Sequence, residues 1–273
     1  MNAATRLFDC ADSAQHSEGV EQAAAAVGRG ELVVLPTDTV YGIGADAFMP
    51  SAVAALLAAK GRSRQMPPPV LVGSVRAAFA LVDDLGLHGK DLIEEFWPGG
   101  LTLVCHAART LSWDLGDTRG TVAVRMPLHP VALELLKQTG PMAVSSANRS
   151  GEPPATTAAG AEAQLGESVA VYLDGGPCAG GVPSSIVDLT GPVPRLLRAG
   201  AVSAERLRMV APLIDGTGLD GGDDLGASAV SGDDPTASAV TGGDPAASAV
   251  SGDDPAASAM NGDNPGSDDT PGT

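Results

Sequence analysis

The stretch that decides the fold is residues 32–47, LVVLPTDTVYGIGADA. Its first four residues are apolar and stop at Pro36, a pattern that predicts a strand buried on both faces of a sheet. The polar run from Thr37 to Tyr41 predicts a loop, in which the two following glycines allow a sharp turn or close approach to a ligand. Ligands usually bind beyond the carboxyl ends of strands in such sheets. The segment therefore predicts either a ligand site or an Asp/Gly turn closed by side-chain to backbone bonds.

Strands and helices interleave along most of the chain. Apolar runs predict further strands at residues 70–72, 101–105, 121–125, 142–145, 168–173, 184–189 and 194–198. Helices are expected from Ser17 to about residue 29, over Ala52 to Lys60, at 74–82, 89–97, 129–139 and 157–165, and from Ser203 onward. The order is not a strict strand–helix–strand alternation. We therefore expect an α/β fold with a mixed, twisted sheet flanked by helices.

Charge is distributed unevenly along the 273 residues. Of the formal charge of −17, −12 lies from Asp215 onward, where 12 Asp and no Lys or Arg occur. This region repeats every ten residues, as in GDDPAASAMN, and its few bulky apolar groups cannot offset an ordering cost of roughly 1–2 kcal/mol per residue. We predict an N-terminal segment (1–16), a globular domain (17–212) and a disordered acidic tail (213–273). A calcium-binding β-roll is the alternative for the repeats.

The cysteines and apolar runs argue against several classes of protein. Cys10, Cys105 and Cys178 are widely spaced and form no CxxC pair, which speaks against a disulfide framework or a structural zinc site. No apolar run reaches the roughly 18–20 residues that a membrane-spanning helix needs, and no signal-peptide core is recognisable. We expect a cytoplasmic protein with no membrane partner.

Polar groups follow several predicted strands, and cations stand near them. Separated cations on an acidic chain fit a small anionic ligand better than a nucleic-acid backbone, which demands a broad basic surface. Arg can bind a carboxylate or phosphate through two parallel hydrogen bonds, although each Arg taken alone is also consistent with a solvent-exposed cation on the protein surface. The serines and Asn148 of residues 145–148 also fit a helix cap or turn. No Ser-His-Asp order, HExxH, Walker loop or paired metal-ligand spacing occurs, so we predict no protein-bound metal.

A series of motifs resembles the YrdC-like family of threonylcarbamoyl-AMP synthases, in its TsaC type with a single catalytic domain. The motifs are PTDTVYGIGADA (36–47), KGR (60–62), FWPGGLT (96–102), VRMP (124–127), SAN (146–148), SSIVDLT (184–190) and LR (197–198). They occur in the family's order across about residues 17–205. Each motif is weak alone, and the series is specific.

The resemblance implies a YrdC-like fold and a nucleotidyltransferase that joins L-threonine, bicarbonate or CO2, and ATP into L-threonylcarbamoyladenylate, with release of pyrophosphate. It implies Mg2+ accompanying ATP, and tRNA or downstream threonylcarbamoyl-transferase proteins as partners, because the product feeds the threonylcarbamoyladenosine modification of tRNA. By motif position, threonine would be held by Thr39, Arg125, Val144 and Ser184. ATP would be held by Lys60, Arg62, Thr121, Ser146, Asn148 and Arg198, and Lys60 and Arg62 would also be catalytic.

Three positions depart from the family pattern. After Lys60-Gly61-Arg62 the family commonly has Pro, Asn and His where this chain has Ser63, Met66 and Leu71. The departures concern one expected ATP contact and one expected threonine contact. Two rival functions remain: a non-catalytic RNA-binding YrdC-like module, and a carbamoyl-adenylate domain like those of hydrogenase maturation proteins, whose flanking zinc-finger and acylphosphatase-like segments are not recognisable here.

Overall fold

The structure is a computed structural model that describes residues 6–215. Its strands are β1 (Arg6–Asp9), β2 (Val33–Leu35), β3 (Gly42–Asp46), β4 (Val70–Leu71), β5 (Val82–Asp84), β6 (Leu101–Ala107), β7 (Thr121–Arg125), β8 (Met142–Ser146), β9 (Val171–Asp174), β10 (Ser185–Asp188), β11 (Arg195–Arg198) and β12 (Ile214–Asp215). Its helices are α1 (Ser13–Gly28), α2 (Pro50–Lys60), α3 (Val75–Leu81), α4 (Gly89–Phe96), α5 (Pro130–Thr139), α6 (Ala158–Leu165) and α7 (Ala204–Val210), with a 3-10 turn at Gly166–Ser168. The acidic repeats predicted to be disordered lie outside the described residues.

The strands form one sheet in the order β1-β9-β2-β3-β8-β4-β7-β6-β10-β11-β12, with β5 paired to β6 off this path. Parallel pairs such as β4/β7 and β6/β10 neighbour antiparallel pairs such as β3/β8 and β6/β7. The expected mixed sheet flanked by helices is thereby confirmed.

Helices cover both faces of the sheet, and β2 demonstrates this best. Val33 and Leu35 pack in the apolar cluster that contains α1 and α5, whereas Val34 between them packs in the cluster that contains α2, α4 and α6. All three residues have no exposed surface. The apolar run therefore forms the doubly buried strand that its composition predicts.

The structure corrects two local expectations. Residues 42–46, expected to continue the loop, form β3, which pairs with β2 and with β8. A Cβ on Gly42 would lie 2.6 Å from Val144 Cγ1, so this glycine permits close strand packing. Helix α1 begins at Ser13, four residues before the expected start, because Asp12 Oδ1 caps it by accepting from the backbone N–H groups of Ala14 and Gln15.

No helix within residues 6–215 is long and apolar enough to cross a bilayer.

Candidate active site

A cleft lies where the loop after β2, the segment between α2 and β4, and strands β3, β4, β6, β7, β8, β10 and β11 approach one another. Its empty space is about 740 Å³, counting the part open to solvent. Seven of the predicted site residues line it: Thr39, Arg62, Arg125, Val144, Ser146, Ser184 and Arg198.

Arg125, at the end of β7, is a buried cation of the cleft. Its Nε donates to Gly99 O (2.9 Å), its Nη1 to Thr39 Oγ1 (2.9 Å) and its Nη2 to Asp38 Oδ1 (2.6 Å). Burial lowers the pKa of Arg125, and the charge of Asp38 opposes that shift. The three bonds use three of the five guanidinium N–H groups, so two N–H groups remain that can donate to a ligand.

The loop after β2 is closed by its own side chains. Thr37 Oγ1 donates to Val40 O (2.6 Å) and lies 3.0 Å from Thr39 Oγ1, while the Thr39 N–H donates to Thr37 Oγ1 (3.2 Å). The turn is therefore closed by Thr37 and not by the expected Asp or Gly, and this contact fixes Thr39 at the cleft wall.

Arg62 reaches the cleft because α2 ends abruptly. Gly61 adopts a left-handed backbone (φ 69°), which reverses the chain and lets the Arg62 N–H donate to Leu57 O (2.9 Å). Arg62 Nη1 then donates to Ser145 Oγ (2.9 Å) on β8. The guanidinium is thus held by the strand that also supplies Ser146.

Lys60 and Asn148 are not among the residues that line the cleft. The Lys60 ammonium, 1% exposed, donates to Ser146 O (2.6 Å), Asn148 O (2.9 Å) and Asn148 Oδ1 (3.0 Å). Asn148 Nδ2 donates to the carbonyls of Arg149 and Glu152. The pair therefore fixes the loop after β8 next to Ser146, the last residue of that strand, which does line the cleft.

Ser184 and Arg198 line another part of the cleft and contact each other. Arg198 Nε and Nη2 both donate to Ser184 O (3.0 and 2.8 Å), and the Ser184 and Thr102 hydroxyl oxygens are 2.8 Å apart. A Cβ on Gly200 would lie 2.6 Å from Ser184 O, so the chain after Arg198 passes directly against this serine.

The floor of the cleft is apolar. Val104 on β6, Ala123 on β7 and Ile186 on β10 line it and form an apolar cluster separate from the two main cores. Thr121 lies two residues before Ala123 and so shares its face of β7, but it is not a lining residue, and its hydroxyl donates to Thr118 O (2.8 Å).

Some residues of the site were not among the predicted ones. Asp38 pairs with Arg125, and Ser145 and Thr102 bond to Arg62 and Ser184. Each stands beside a predicted residue or inside a quoted motif, yet its partner lies 82 or more positions away along the chain. Across residues 6–215, no group of three or more His, Cys, Asp or Glu side chains is arranged to hold a metal ion.

Comparisons with known proteins place this chain among close relatives. The Sua5/YciO/YrdC family model, described as "Telomere recombination", matches residues 25–200. A Mycobacterium tuberculosis (strain H37Rv) protein, provisionally named a threonylcarbamoyl-AMP synthase, is 59% identical over 206 residues, covering 76% of this chain and 95% of that protein.

More distant relatives extend beyond the matched region. The threonylcarbamoyl-AMP synthase of Bacillus subtilis is 38% identical over 193 residues, covering 70% of this chain and 56% of that protein. The crystal structure of Pyrococcus abyssi Sua5 complexed with L-threonine superposes with a TM-score of 0.73 at 32% identity, covering 81% of this chain and 66% of that one. The chain therefore belongs to the Sua5/YciO/YrdC family.

Proposed function

We propose that this protein is an L-threonylcarbamoyladenylate synthase, a nucleotidyltransferase that uses L-threonine, bicarbonate or CO2, and ATP. The observation that carries the proposal is the meeting of Arg62, Arg125 and Arg198, from three distant parts of the chain, around one cleft with an apolar floor. Cations suit a carboxylate and a triphosphate, and an apolar floor suits a nucleobase. Relatives that bear this enzyme name, and a threonine complex of one relative, support the same assignment.

The threonine end of the site is assigned to Thr39, Arg125 and Ser184, with Val144 as an apolar wall. Arg125 would bind the substrate carboxylate, because its orientation is already fixed by Thr39 and Asp38. Anchoring the carboxylate leaves the amine available to attack CO2. The nitrogen lone pair forms the new C–N bond, a proton passes to solvent, and a carbamate results.

The nucleotide end is assigned to Arg62, Ser146 and Arg198, with Thr121 at the far end of the same sheet face. A carbamate oxygen attacks the α-phosphorus of ATP, and the bond from that phosphorus to the bridging oxygen breaks as pyrophosphate leaves with the electron pair. Arg62 and Arg198 would stabilise the growing charge on pyrophosphate. Holding both substrates in line supplies the remaining acceleration, so no acid–base dyad is needed.

Lys60 and Asn148 are assigned a different role from the direct ATP contact expected by motif position. Their bonds enclose the Lys60 ammonium within the loop after β8. We infer that they position Ser146 for the nucleotide.

ATP would enter as its magnesium complex. Mg2+ prefers phosphate oxygens and water, and it is commonly held by the substrate with few protein ligands. The cleft is lined by hydroxyls and carries no carboxylate among its lining residues, which fits an ion carried by ATP. Bound in this way, the ion neutralises part of the triphosphate charge.

The product is a mixed anhydride that water hydrolyses, so we expect its rapid transfer to tRNA by downstream threonylcarbamoyl-transferase proteins, in the cytoplasm.

Pyrophosphate release from Mg-ATP tests the proposal, with L-threonine and bicarbonate omitted in turn. We expect release that requires both. Release that ignores threonine would remove the proposal, and salt-dependent tRNA binding without any ATP turnover would favour the RNA-binding module instead.

A further inference from the structure

The segment from Gly61 to Pro69, between α2 and β4, brings Arg62 into the cleft. Both its ends are fastened to β8, because Arg62 bonds to Ser145 and Pro69 O accepts from the Val144 N–H (2.9 Å). Between these points, residues 63–65 are exposed. The course of the exposed residues between these two points depends on contacts with elements other than β8.

The loop at residues 111–118, between β6 and β7, packs against that middle. The Asp114 carboxylate accepts from both terminal nitrogens of Arg64, at 2.6 and 3.1 Å. The Asp117 N–H donates to Arg64 O (2.7 Å). A Cβ on Gly116, whose φ is 106°, would lie 2.6 Å from the same carbonyl oxygen. The loop therefore contacts both the side chain and the backbone carbonyl of Arg64.

The loop is itself anchored to the core. Leu115 is 2% exposed and belongs to the main apolar cluster. The Trp113 ring stacks on Phe48, with centroids 5.5 Å apart, and Phe48 stands just before Met49, the N-cap of α2. Asp114 Oδ1 also accepts from the Gly116 N–H (3.1 Å). Asp114 is consequently held in a fixed place relative to α2.

We propose, on the basis of the proposed function, that Asp114 is a positioning residue for ATP: through Arg64 it fixes the segment 61–69 and so the guanidinium of Arg62. Asp114 is not among the residues that line the cleft. The bonds from Arg64 keep the pKa of the Asp114 carboxyl below its usual range, so the carboxylate is charged at neutral pH.

The test compares Asp114→Asn with Asp117→Asn in the full-length chain. Both variants lose one negative charge in the same loop. The Asp117 carboxylate, however, lies 3.9 Å from Arg64 Nε, and the backbone N–H that bonds to Arg64 survives its substitution. We expect Asp114→Asn to raise the KM for ATP about fivefold, the size of a well-formed exposed ion pair, while Asp117→Asn changes it less than about twofold. The KM for threonine should not move, and the thermal midpoint should fall by no more than about 4 °C, the shift expected for loss of one exposed ion pair.

Coupling through Arg64 is tested by Arg64→Ala alone and combined with Asp114→Asn. If Asp114 acts through Arg64, the double variant has the KM of the single variants. Multiplying effects would overturn the proposal, and so would equal effects of Asp114→Asn and Asp117→Asn. The Kd for a non-hydrolysable ATP analogue, measured by calorimetry, tests the positioning role of Asp114 separately from the proposed enzyme activity. If the wild type showed no threonine-dependent turnover, the proposed function would fail, yet a Kd raised by Asp114→Asn and not by Asp117→Asn would still support positioning.

Discussion

Substituting Lys60 by Met distinguishes a lysine that holds the protein together from one that binds ATP. Methionine keeps the unbranched apolar stem of the side chain and removes the ammonium, leaving the side chain one heavy atom shorter. Two acceptors, Asn148 O and Asn148 Oδ1, then lose this donor, whereas Ser146 O retains the Asn148 N–H (3.0 Å). Leaving a buried acceptor without its donor costs about 1–3 kcal/mol. Relief from burying a charge offsets part of this cost.

We therefore expect Lys60→Met to lower the free energy of unfolding by about 2–4 kcal/mol, since two acceptors are affected. The thermal midpoint should fall by about 4–16 °C, at roughly 2–4 °C per kcal/mol for a domain of this size. Urea and thermal denaturation measure both quantities. Lys137→Met is the matched control, because Lys137 also lies in the last turn of a helix but is exposed. Its effect should stay within about 0.5 kcal/mol.

Activity gives the second half of this test. The loss of pyrophosphate release in Lys60→Met should resemble that in Asn148→Ala, because both variants release the loop after β8, and the double variant should be little worse than either. A Lys60→Met protein with wild-type stability and no activity would refute the reasoning. That result would return Lys60 to a direct role at the phosphates.

Three further predictions concern the walls of the cleft. Gly200→Ala places a Cβ 2.6 Å from Ser184 O, so the serine must shift and we expect the KM for threonine to rise about tenfold or more. An unchanged KM in steady-state kinetics would contradict the assignment of Ser184 to the threonine end. Asp38→Asn leaves the buried guanidinium of Arg125 without its carboxylate, so the free energy of unfolding measured in urea should fall by about 3 kcal/mol. Combining Asp38→Asn with Arg125→Gln removes the unpaired charge and should restore part of that loss. Burial holds the pKa of His129 below its ordinary 6.5, so the contribution of the neutral ring to stability is complete above that pH and is lost as pH falls. Thermal midpoints between pH 7.5 and 5.5 should therefore decline less steeply in His129→Gln than in the wild type. Equal slopes in the two proteins would disprove this role of His129.

The sequence predicts those elements whose cause is local. The run before Pro36 is short, apolar at every position and β-branched in its middle, which is typical of a strand covered on both faces, so β2 could be inferred without coordinates. Strand β3 could not be inferred from its own sequence. Gly42 and Gly44 have weak strand propensity, and their pairing is imposed by β2 and β8, the second of which lies about 100 residues later.

The same division holds in the cleft. Arg125 is the last residue of an apolar strand, and its place at the carboxyl end of β7 was predictable. Ser184 lies before β10 instead, so the same rule does not place it. Whether a cation faces the cleft or a loop depends on contacts far along the chain: Lys60 meets a loop 86–88 residues away, and Asp38 meets Arg125 at a separation of 87. Motif position gives Lys60 and Arg62 the same role, and only the geometry separates them.

The most direct test of the central claim is the fate of labelled bicarbonate. The protein would be incubated with 13C-bicarbonate, L-threonine and Mg-ATP, and the nucleotide products examined at once by mass spectrometry. If the cleft holds an amino acid and a nucleotide side by side, an adenylate should appear that carries one threonine and one labelled carbon. Hydrolysis of ATP with no labelled adenylate, under conditions where that product is stable enough to detect, would contradict the account.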